Sequence, residues 1–243
     1  MGINQLKSNR KQFEMLAHDS NATFVIVPAY NEEKVVRDTV QRLLTLGVNV
    51  VVVDDCSEDR TLRMVEDLPI YVLHHAINLG QGAALQTGIS FAISRGAQYI
   101  VTFDADGQHD ERDIPLLIDT LVQEQLDIVL GSRFLGIAEN LCKLRKLALK
   151  VAIWITKFTS GIHFTDVHNG LRAFRSEVAG ALLITQSRMA HASEILNKIS
   201  KSRMRFKEVP CTVRYTNYSK GKQQSIFGAV DIIYELLLRR LLR

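Results

Sequence analysis

The segment Ile100-Val-Thr-Phe-Asp-Ala-Asp-Gly-Gln-His109 is a short apolar run that ends in two carboxylates one residue apart. Residues i and i+2 of a strand point to the same face, so Asp104 and Asp106 can both reach one point beyond the end of a strand. Gln108 adds a neutral oxygen, and Gly107 allows a sharp turn. Oxygen ligands in this number suit Mg²⁺ or Mn²⁺, which keeps waters and binds phosphate groups. The alternative from this segment alone is a solvated turn, because Asp and Gly are common in turns.

Apolar runs alternate with helical patterns on both sides of this segment. Strands are predicted at Thr23–Val27, Val48–Val53, Ile70–Leu73, Tyr99–Phe103 and Asp127–Gly131. Helices are predicted from Asn31 to about Leu46, in a short segment ending near Leu68, from Ala83 to about Arg95, and from Asp113 to about Glu124. This alternation predicts an α/β fold with a mostly parallel, doubly wound, Rossmann-like sheet flanked by helices.

Polar side chains follow three of the predicted strands. They belong to Pro28-Ala-Tyr-Asn-Glu32, to Asp54-Asp55, and to the Asp104/Asp106 pair. Ligands of such sheets bind beyond the carboxyl ends of the strands, so these three clusters are expected to meet at one edge. A Gly-x-Gly-x-x-Gly motif after the first strand and a Walker lysine motif are both missing from the sequence, which argues against dinucleotide-binding and P-loop proteins.

The charge of the chain is unevenly distributed. Its 243 residues have a net charge of +4, with 11 Lys/Arg against 20 Asp/Glu in residues 1–140 and 19 against 6 in residues 141–243. A basic second half favours anionic partners such as phosphates, nucleic acid or a lipid surface, and an ordinary solvated surface is the alternative. The three isolated cysteines fit a reducing, cytoplasmic compartment, and the polar first 21 residues do not resemble a signal peptide.

Two segments of the second half have the pattern of basic amphipathic helices. Between Lys143 and Phe158 an apolar stripe at Leu144, Leu147, Ala148, Val151, Ile155 and Phe158 lies beside lysines 143, 146, 150 and 157. Such a helix can lie on an anionic membrane surface or pack its stripe into the core. Residues 226–243 repeat the pattern and end in three arginines, which favours a peripheral membrane role.

Five motifs occur in order along the chain: Val27-Pro-Ala-Tyr-Asn-Glu32, Val53-Asp-Asp-Cys-Ser57, Asn78-Leu-Gly-Gln-Gly-Ala-Ala84, Phe103-Asp-Ala-Asp-Gly-Gln-His109 and Gly131-Ser-Arg-Phe134. Together they resemble the family 2 inverting glycosyltransferases of the GT-A fold. The similarity is to the dolichol-phosphate mannose synthase-like branch, which includes polyprenyl-phosphate glycosyltransferases. It runs from about residue 23 to 225, with Asn169-Gly-Leu-Arg-Ala-Phe174 and Glu208-Val-Pro210 in the second half.

The resemblance implies a metal-dependent hexosyltransferase that uses Mg²⁺ or Mn²⁺. Its donor would be a nucleoside-diphosphate sugar, UDP- or GDP-linked, and its acceptor a polyprenyl phosphate or lipid-linked saccharide in cell-envelope glycan or glycolipid synthesis. The enzyme would act at the inner face of the membrane, as a peripheral protein and possible homo-oligomer. A single domain would then comprise an extension (1–22), a nucleotide-sugar and metal half (23–140), an acceptor half (141–225) with a loop at 214–225, and a C-terminal amphipathic helix (226–243).

The resemblance also implies roles for individual residues. Nucleotide-sugar contacts are implied for Pro28, Ala29, Tyr30, Glu32, Asp54, Asp55, Gly80, Gly82, Asp104, Ala105, Asp106 and Arg133. Acceptor or phosphate contacts are implied for Arg172, Arg214, Lys220 and Lys222, and metal binding for Asp104, Asp106 and Gln108.

The catalytic residues implied are Asp106 and Glu194, and a general base depends on the acceptor. A sugar hydroxyl needs a carboxylate to take its proton, with Glu194 or Asp166 as candidates. A phosphate acceptor is already ionised near neutral pH, because its second pKa is about 6. No base is needed in that case, and Glu194 would orient the basic loop.

Two alternatives to this enzyme remain. A nucleic-acid-binding module could use the basic half, although aromatic residues are not interleaved with its charges as stacking platforms would be, so no nucleic acid is expected. The second alternative is a nucleotidyltransferase that makes the sugar nucleotide. The Gly-rich, Arg- or Lys-bearing loop expected of such an enzyme after the first strand is missing from this sequence, which argues against it. His109, His163, His168 and His191 have no metal-ligand spacing and are expected to be turn or surface residues.

Overall fold

The computed structural model describes residues 22–186, 191–202, 204–216 and 218. The predicted N-terminal extension up to residue 21, Lys220, Lys222 and the predicted helix over 226–243 lie outside the described residues.

The described residues form one seven-stranded sheet. Its strands are β1 (Thr23–Ala29), β2 (Asn49–Asp54), β3 (Tyr71–His74), β4 (Tyr99–Thr102), β5 (Ile128–Glu139), β6 (Arg172–Arg175) and β7 (Phe206–Arg214). They lie in the order β3-β2-β1-β4-β6-β5-β7. Neighbouring strands are parallel except at β6, which is antiparallel to β4 and β5. The predicted mostly parallel α/β sheet is therefore confirmed, and it draws strands from both halves of the chain.

Helices cover both faces of this sheet. They are α1 (Val36–Leu44), α2 (Gln81–Ser94), α3 (Ile114–Gln123), α4 (Lys143–Ser160), α5 (Ser176–Leu182) and α6 (His191–Ser202). Side chains of β1 show the two layers: Val25 and Val27 pack in the cluster with α1 and α3, whereas Phe24 and Ile26 pack with α2, α5 and α6. Burial on both faces explains why β1 is a continuous apolar run rather than an alternating one.

Two details of the first half differ from the sequence predictions. The helix predicted to end near Leu68 is only a single 3₁₀ turn at Leu62–Met64, because the Asp59 carboxylate accepts hydrogen bonds from the backbone and hydroxyl of Thr61, at 2.8 and 2.5 Å, in competition with a helix. Asn31 does not cap a helix: it has a φ of +55°, its side chain accepts from the Glu58 backbone, and α1 begins only at Val36.

The second half also departs from expectation at β5 and α4. β5 continues to Glu139, beyond the predicted end at Gly131, with an irregular register against β7 between Ser132 and Ile137. In α4 the buried residues include Leu149 and Ala152, which are not members of the predicted apolar stripe. No helix within the described ranges is both long and apolar enough to span a bilayer.

Candidate active site

The polar clusters of the first half follow three adjacent parallel strands. Asp54 at the end of β2 pairs in register with Ala29 at the end of β1, and β4 lies on the other side of β1. The Phe103 backbone N–H donates to the Ile26 carbonyl, so the chain leaves β4 directly beside β1. The loop that carries Asp104 and Asp106 therefore begins at the same sheet edge as the Pro28–Glu32 segment.

Asp104 is held from three sides. Gln81, in the first turn of α2, donates its amide to Oδ1 at 2.8 Å, and His109 Nε2 lies 3.3 Å from Oδ2. On the third side lies Gly170, where a Cβ would stand only 2.2 Å from Oδ2. Burial opposes ionisation of this carboxylate, but His109, Arg172 and His191 outweigh it and lower the pKa of Asp104.

The pKa of Asp106 is shifted in the opposite direction to that of Asp104. Burial and the nearby charge of Asp104 raise the pKa of Asp106 to about 6. Its carboxylate accepts from the Gln108 backbone N–H at 3.0 Å and from the Gln108 side-chain amide. Two carboxylates that repel each other in a half-buried site are stabilised by a cation between them.

The donor set of this loop fits a hard divalent cation. Asp104, Asp106 and Gln108 offer oxygen ligands, and Mg²⁺ is commonly bound by one or two carboxylates together with water and phosphate oxygens. Among the described residues no group of three or more His, Cys, Asp or Glu side chains is arranged as a self-sufficient metal site. A cation here would therefore depend on oxygens from water and from a substrate.

Three buried nitrogens of the described residues have no hydrogen-bond partner, and two of them belong to His109 and Arg172, which lower the pKa of Asp104. Within the described part of the chain they are His109 Nδ1, His168 Nδ1 and Arg172 Nη1. Burial lowers the pKa of Arg172 to about 10, against the opposing influence of Asp104 and Asp166. Burial also lowers the pKa of His168 to about 4. Arg172, at the start of β6, thus supplies positive charge beside the metal loop.

Asp54 and Asp55 are nearly inaccessible. Asp54 accepts from the Ser57 hydroxyl at 2.5 Å. Asp55 accepts from the backbone N–H groups of Leu79 and Gly80, at 2.9 and 2.6 Å, and lies 2.7 Å from His75 Nδ1. Asp55 therefore fixes the turn that places Gln81 next to Asp104, and Gly80 provides the φ of +92° that this turn requires.

The remaining residues of the first motif line the same edge. Pro28 and Ala29 are buried in β1, and Tyr30 is 40% exposed. Glu32 is buried, and its carboxylate accepts from the Tyr218 hydroxyl at 2.8 Å. This contact joins the segment after β7 to the loop after β1.

Ala105 and Arg214 link the metal loop to its surroundings. The Ala105 carbonyl accepts from the Thr39 hydroxyl at 3.3 Å. The Arg214 backbone N–H donates to the Gln108 carbonyl at 2.8 Å, and its side chain pairs with Asp110 at 2.8 Å. The segment that continues into the predicted basic loop thus starts beside the metal loop.

Arg133 has its guanidinium bound within the protein. Its Nε donates to Asp166 at 2.6 Å, Nη1 donates to the Tyr215 hydroxyl at 2.6 Å, and Nη2 donates to the His168 carbonyl. Burial lowers the pKa of Arg133, but the charge of Asp166 raises it overall. The structure places this arginine, expected to face the sugar or phosphates, in a buried ion pair, and Asp166, the second candidate base, is its partner.

Glu194 lies on α6, as expected from the sequence, with its carboxylate against the segment after α5. It accepts from the Thr185 hydroxyl at 2.6 Å and from the Gln186 backbone at 2.9 Å, and pairs with Lys198 at 2.8 Å. Burial opposes ionisation, but these contacts lower the pKa of Glu194 to about 2. At Gly82 a Cβ would overlap the Gln186 carbonyl oxygen, so Gly82 admits this segment close to α2.

Several residues of the site were missed or misjudged from the sequence. His109 and His191 are buried beside Asp104, so the expectation of turn or surface histidines is wrong for both, and only His163 is exposed. His109 is buried because it bridges to Val213, far along the chain. Gln81 lies between Gly80 and Gly82 of the third motif, and this position is the sequence feature that indicates its role.

Comparisons with known proteins agree with the geometry. The sequence profile described as "Glycosyl transferase family 2" matches residues 24–183. An uncharacterized protein of Methanocaldococcus jannaschii is 32% identical over 241 residues, covering 97% of this chain and 98% of its own. The UDP-N-acetylglucosamine–dolichyl-phosphate N-acetylglucosaminyltransferase of Methanococcus voltae is 31% identical over 240 residues, covering 90% and 96%.

A solved structure shares the fold. Glucosyl-3-phosphoglycerate synthase from Mycobacterium tuberculosis, in complex with Mg²⁺ and uridine diphosphate, superposes with a TM-score of 0.68 at 16% identity, covering 94% of this chain and 82% of its own. The sheet order, the flanking helices and this superposition confirm the GT-A fold. The chain belongs to glycosyl transferase family 2 and is a glycosyltransferase of the polyprenyl-phosphate branch.

Proposed function

We propose that this enzyme transfers a sugar from a nucleoside-diphosphate sugar to a polyprenyl phosphate, with Mg²⁺ or Mn²⁺ as cofactor. The observation that carries the proposal is the position of Asp104 and Asp106 in one loop at the carboxyl ends of β1, β2 and β4, where Gln81 and His109 hold Asp104. The M. voltae relative is named for transfer from a UDP-sugar to dolichyl phosphate, which supports the donor and acceptor classes. The M. tuberculosis structure holds UDP and Mg²⁺, which supports the donor and the cofactor.

The cation would be held by Asp104, Asp106 and Gln108, and when bound it would neutralise charge that develops on the diphosphate leaving group. Gln81 and His109 orient Asp104 through hydrogen bonds. Arg172 adds a buried positive charge that favours ionised Asp104. Pro28, Ala29, Tyr30 and Glu32 would line the nucleoside side of the same edge.

In the transfer step an acceptor phosphate oxygen attacks the anomeric carbon. The bond from that carbon to the diphosphate oxygen breaks, and its electron pair leaves with the nucleoside diphosphate. No proton has to be removed, because the phosphate is already ionised near neutral pH. The partners of Glu194 and its pKa of about 2 support a positioning role for this carboxylate, which holds the segment that packs against α2.

Arg214, Lys220 and Lys222 would bind phosphates of the donor and acceptor. The Arg214 backbone N–H is bound to the Gln108 carbonyl, and the Tyr218 hydroxyl donates to Glu32 at the nucleoside edge. These two contacts support phosphate binding close to the metal loop. Because the acceptor is a lipid, the enzyme would work as a peripheral protein at the inner face of the membrane.

The test is transfer from labelled UDP-, GDP- and dTDP-sugars to a short polyprenyl phosphate, with Mn²⁺ or Mg²⁺ and again with EDTA. One donor should give a lipid-linked product that disappears with EDTA. Asp106→Asn should abolish transfer, whereas Asp67→Asn, which changes an exposed carboxylate paired with Arg37, should not. Salt-dependent binding of an oligonucleotide without turnover of any donor would instead favour the nucleic-acid-binding alternative.

A further inference from the structure

Helix α4 uses a narrow face for its contact with the core. Leu149, Ala152 and Thr156 are buried, and their spacing of three and four residues places them on one side of the helix. Ala152 belongs to the core cluster that includes Ile195 and Leu196 of α6. The helix is therefore anchored by a face that the sequence pattern did not single out.

The opposite side of α4 exposes large apolar side chains to solvent. Leu147 is 60% exposed, Val151 37% and Trp154 68%. Residues separated by four and three positions are neighbours on a helix surface, so these three form a continuous strip. Two of the three belong to the predicted apolar stripe, so this described part of the stripe is exposed rather than packed in the core.

A row of lysines lies beside this apolar strip. Lys143, Lys146, Lys150 and Lys157 are exposed and follow one another at intervals of three, four and seven residues, which keep them on one side of the helix. Residues 143–160 contain no Asp or Glu. The outer face of α4 therefore combines an apolar strip with an adjacent cationic strip, and the helix itself carries no acidic residue.

We propose that this outer face of α4 docks the protein on an anionic lipid bilayer, in the plane of the headgroups. The proposal rests on the proposed function, because a polyprenyl phosphate acceptor is held in such a bilayer. Leu147, Val151 and Trp154 enter the boundary between headgroups and acyl chains, while the lysine stems extend along it and keep their charges at the anionic headgroups.

Charge complementarity separates a lipid surface from a second copy of the chain. Two α4 helices facing each other would bring eight lysine side chains together without a single acidic partner on either helix. An anionic lipid bilayer can accommodate both strips, because its headgroups attract the lysines and its acyl chains take up the apolar side chains. The outer face of α4 is therefore more complementary to an anionic bilayer than to the same face of a second copy of the chain.

Trp154 is the only tryptophan of the chain, which makes the proposal directly testable by fluorescence. The full-length protein is titrated with phosphatidylcholine vesicles with and without phosphatidylglycerol, in the absence of any donor. The expected result is a blue shift of the emission with the anionic vesicles and a weaker response at high salt. An unchanged spectrum despite co-sedimentation would overturn the proposal and leave attachment to another part of the chain.

Matched variants locate the surface. In sedimentation with the same vesicles, Trp154→Ser should weaken binding about tenfold or more, and Lys150→Gln about fivefold. Ile77→Ser and Lys201→Gln, which change exposed residues on other parts of the protein, should bind as the unaltered chain does. Wild-type binding by Trp154→Ser, or dissociation of a dimer by that substitution without an effect on vesicles, would refute docking through α4.

The vesicle-binding tests of α4 do not depend on the transfer reaction. Transfer is measured separately with a short, water-soluble polyprenyl phosphate, for which a bilayer is not needed. Vesicle binding through α4 without transfer from any donor would reject the proposed function alone. Transfer to the soluble acceptor without the fluorescence shift would reject the docking surface alone.

Discussion

Gly170→Ala is expected to disable the metal site without altering any ligand. The new Cβ would lie 2.2 Å from Asp104 Oδ2, far inside van der Waals contact. The backbone cannot easily yield, because the Gly170 carbonyl accepts from the Thr102 hydroxyl at 2.6 Å and the next backbone N–H is bound to Asn169. The carboxylate must therefore move by roughly 1 Å, out of the position in which it meets Gln81 and His109.

A displacement of this size sets the expected magnitudes. Misplacing a reacting or binding group by about 1 Å can cost on the order of 10²-fold in rate. We expect kcat/KM for the preferred donor to fall by about that factor and Mn²⁺ affinity to fall by about tenfold or more. Overpacking should lower the free energy of unfolding by about 1–3 kcal/mol, which leaves the protein folded at room temperature.

The assay combines Mn²⁺ titration in the presence of nucleoside diphosphate, steady-state transfer and urea unfolding. Gly180→Ala is the matched control: it lies on α5, and its added Cβ would meet Ile93 Cδ1 at 3.4 Å, an ordinary contact. The control should retain Mn²⁺ affinity and rate. If Gly170→Ala binds Mn²⁺ and transfers sugar within about twofold of the unaltered chain, the inferred role of Asp104 geometry is wrong.

Three further substitutions test the supports of the site. Asp55→Asn should lower the free energy of unfolding by about 2–4 kcal/mol in urea titrations, because a buried carboxylate loses several hydrogen bonds, whereas the exposed Asp67→Asn should leave the urea midpoint nearly unchanged. Arg133→Lys should destabilise the protein measurably, since an ammonium cannot reproduce the three directions of its guanidinium bonds; equal urea midpoints would contradict this. Glu194 has a pKa lowered to about 2 from 4.5, so its stabilisation is present above pH 4.5 and lost as the pH falls towards 2. The stability difference between the unaltered chain and Glu194→Gln should accordingly shrink between pH 6 and pH 3.5, and a constant difference would argue against these contacts.

The elements predicted correctly are those specified by local pattern. β1 and β2 are continuous apolar runs because both of their faces are covered, and that pattern is visible in any short window. β6 has two arginines in four residues and no apolar run, so its strand structure comes from pairing with β4 and β5. Such pairing depends on residues far apart in sequence and is not visible locally.

The residues of the candidate site also fall into those that a short stretch of sequence identifies and those that depend on contacts far apart in the chain. Asp104 and Asp106 could be singled out because their spacing at a strand end carries chemical meaning by itself. The burial of His109 depends on Val213, and the closeness of Gly170 to Asp104 depends on the insertion of β6 next to β4. The buried pairing of Arg133 with Asp166 likewise requires the folded second half, which a motif cannot reveal.

The most direct test of the metal site is the dependence of nucleotide affinity on the divalent cation. UDP and GDP are titrated calorimetrically into the unaltered chain and into Asp106→Asn, with Mn²⁺ and with EDTA. We expect one nucleotide to bind much more tightly with Mn²⁺ than with EDTA, and this difference to vanish in Asp106→Asn while the unfolding transition stays cooperative. Nucleotide affinity that is the same with EDTA, or an Mn²⁺ effect that persists in Asp106→Asn, would contradict the assignment of the cation to the Asp104/Asp106 pair.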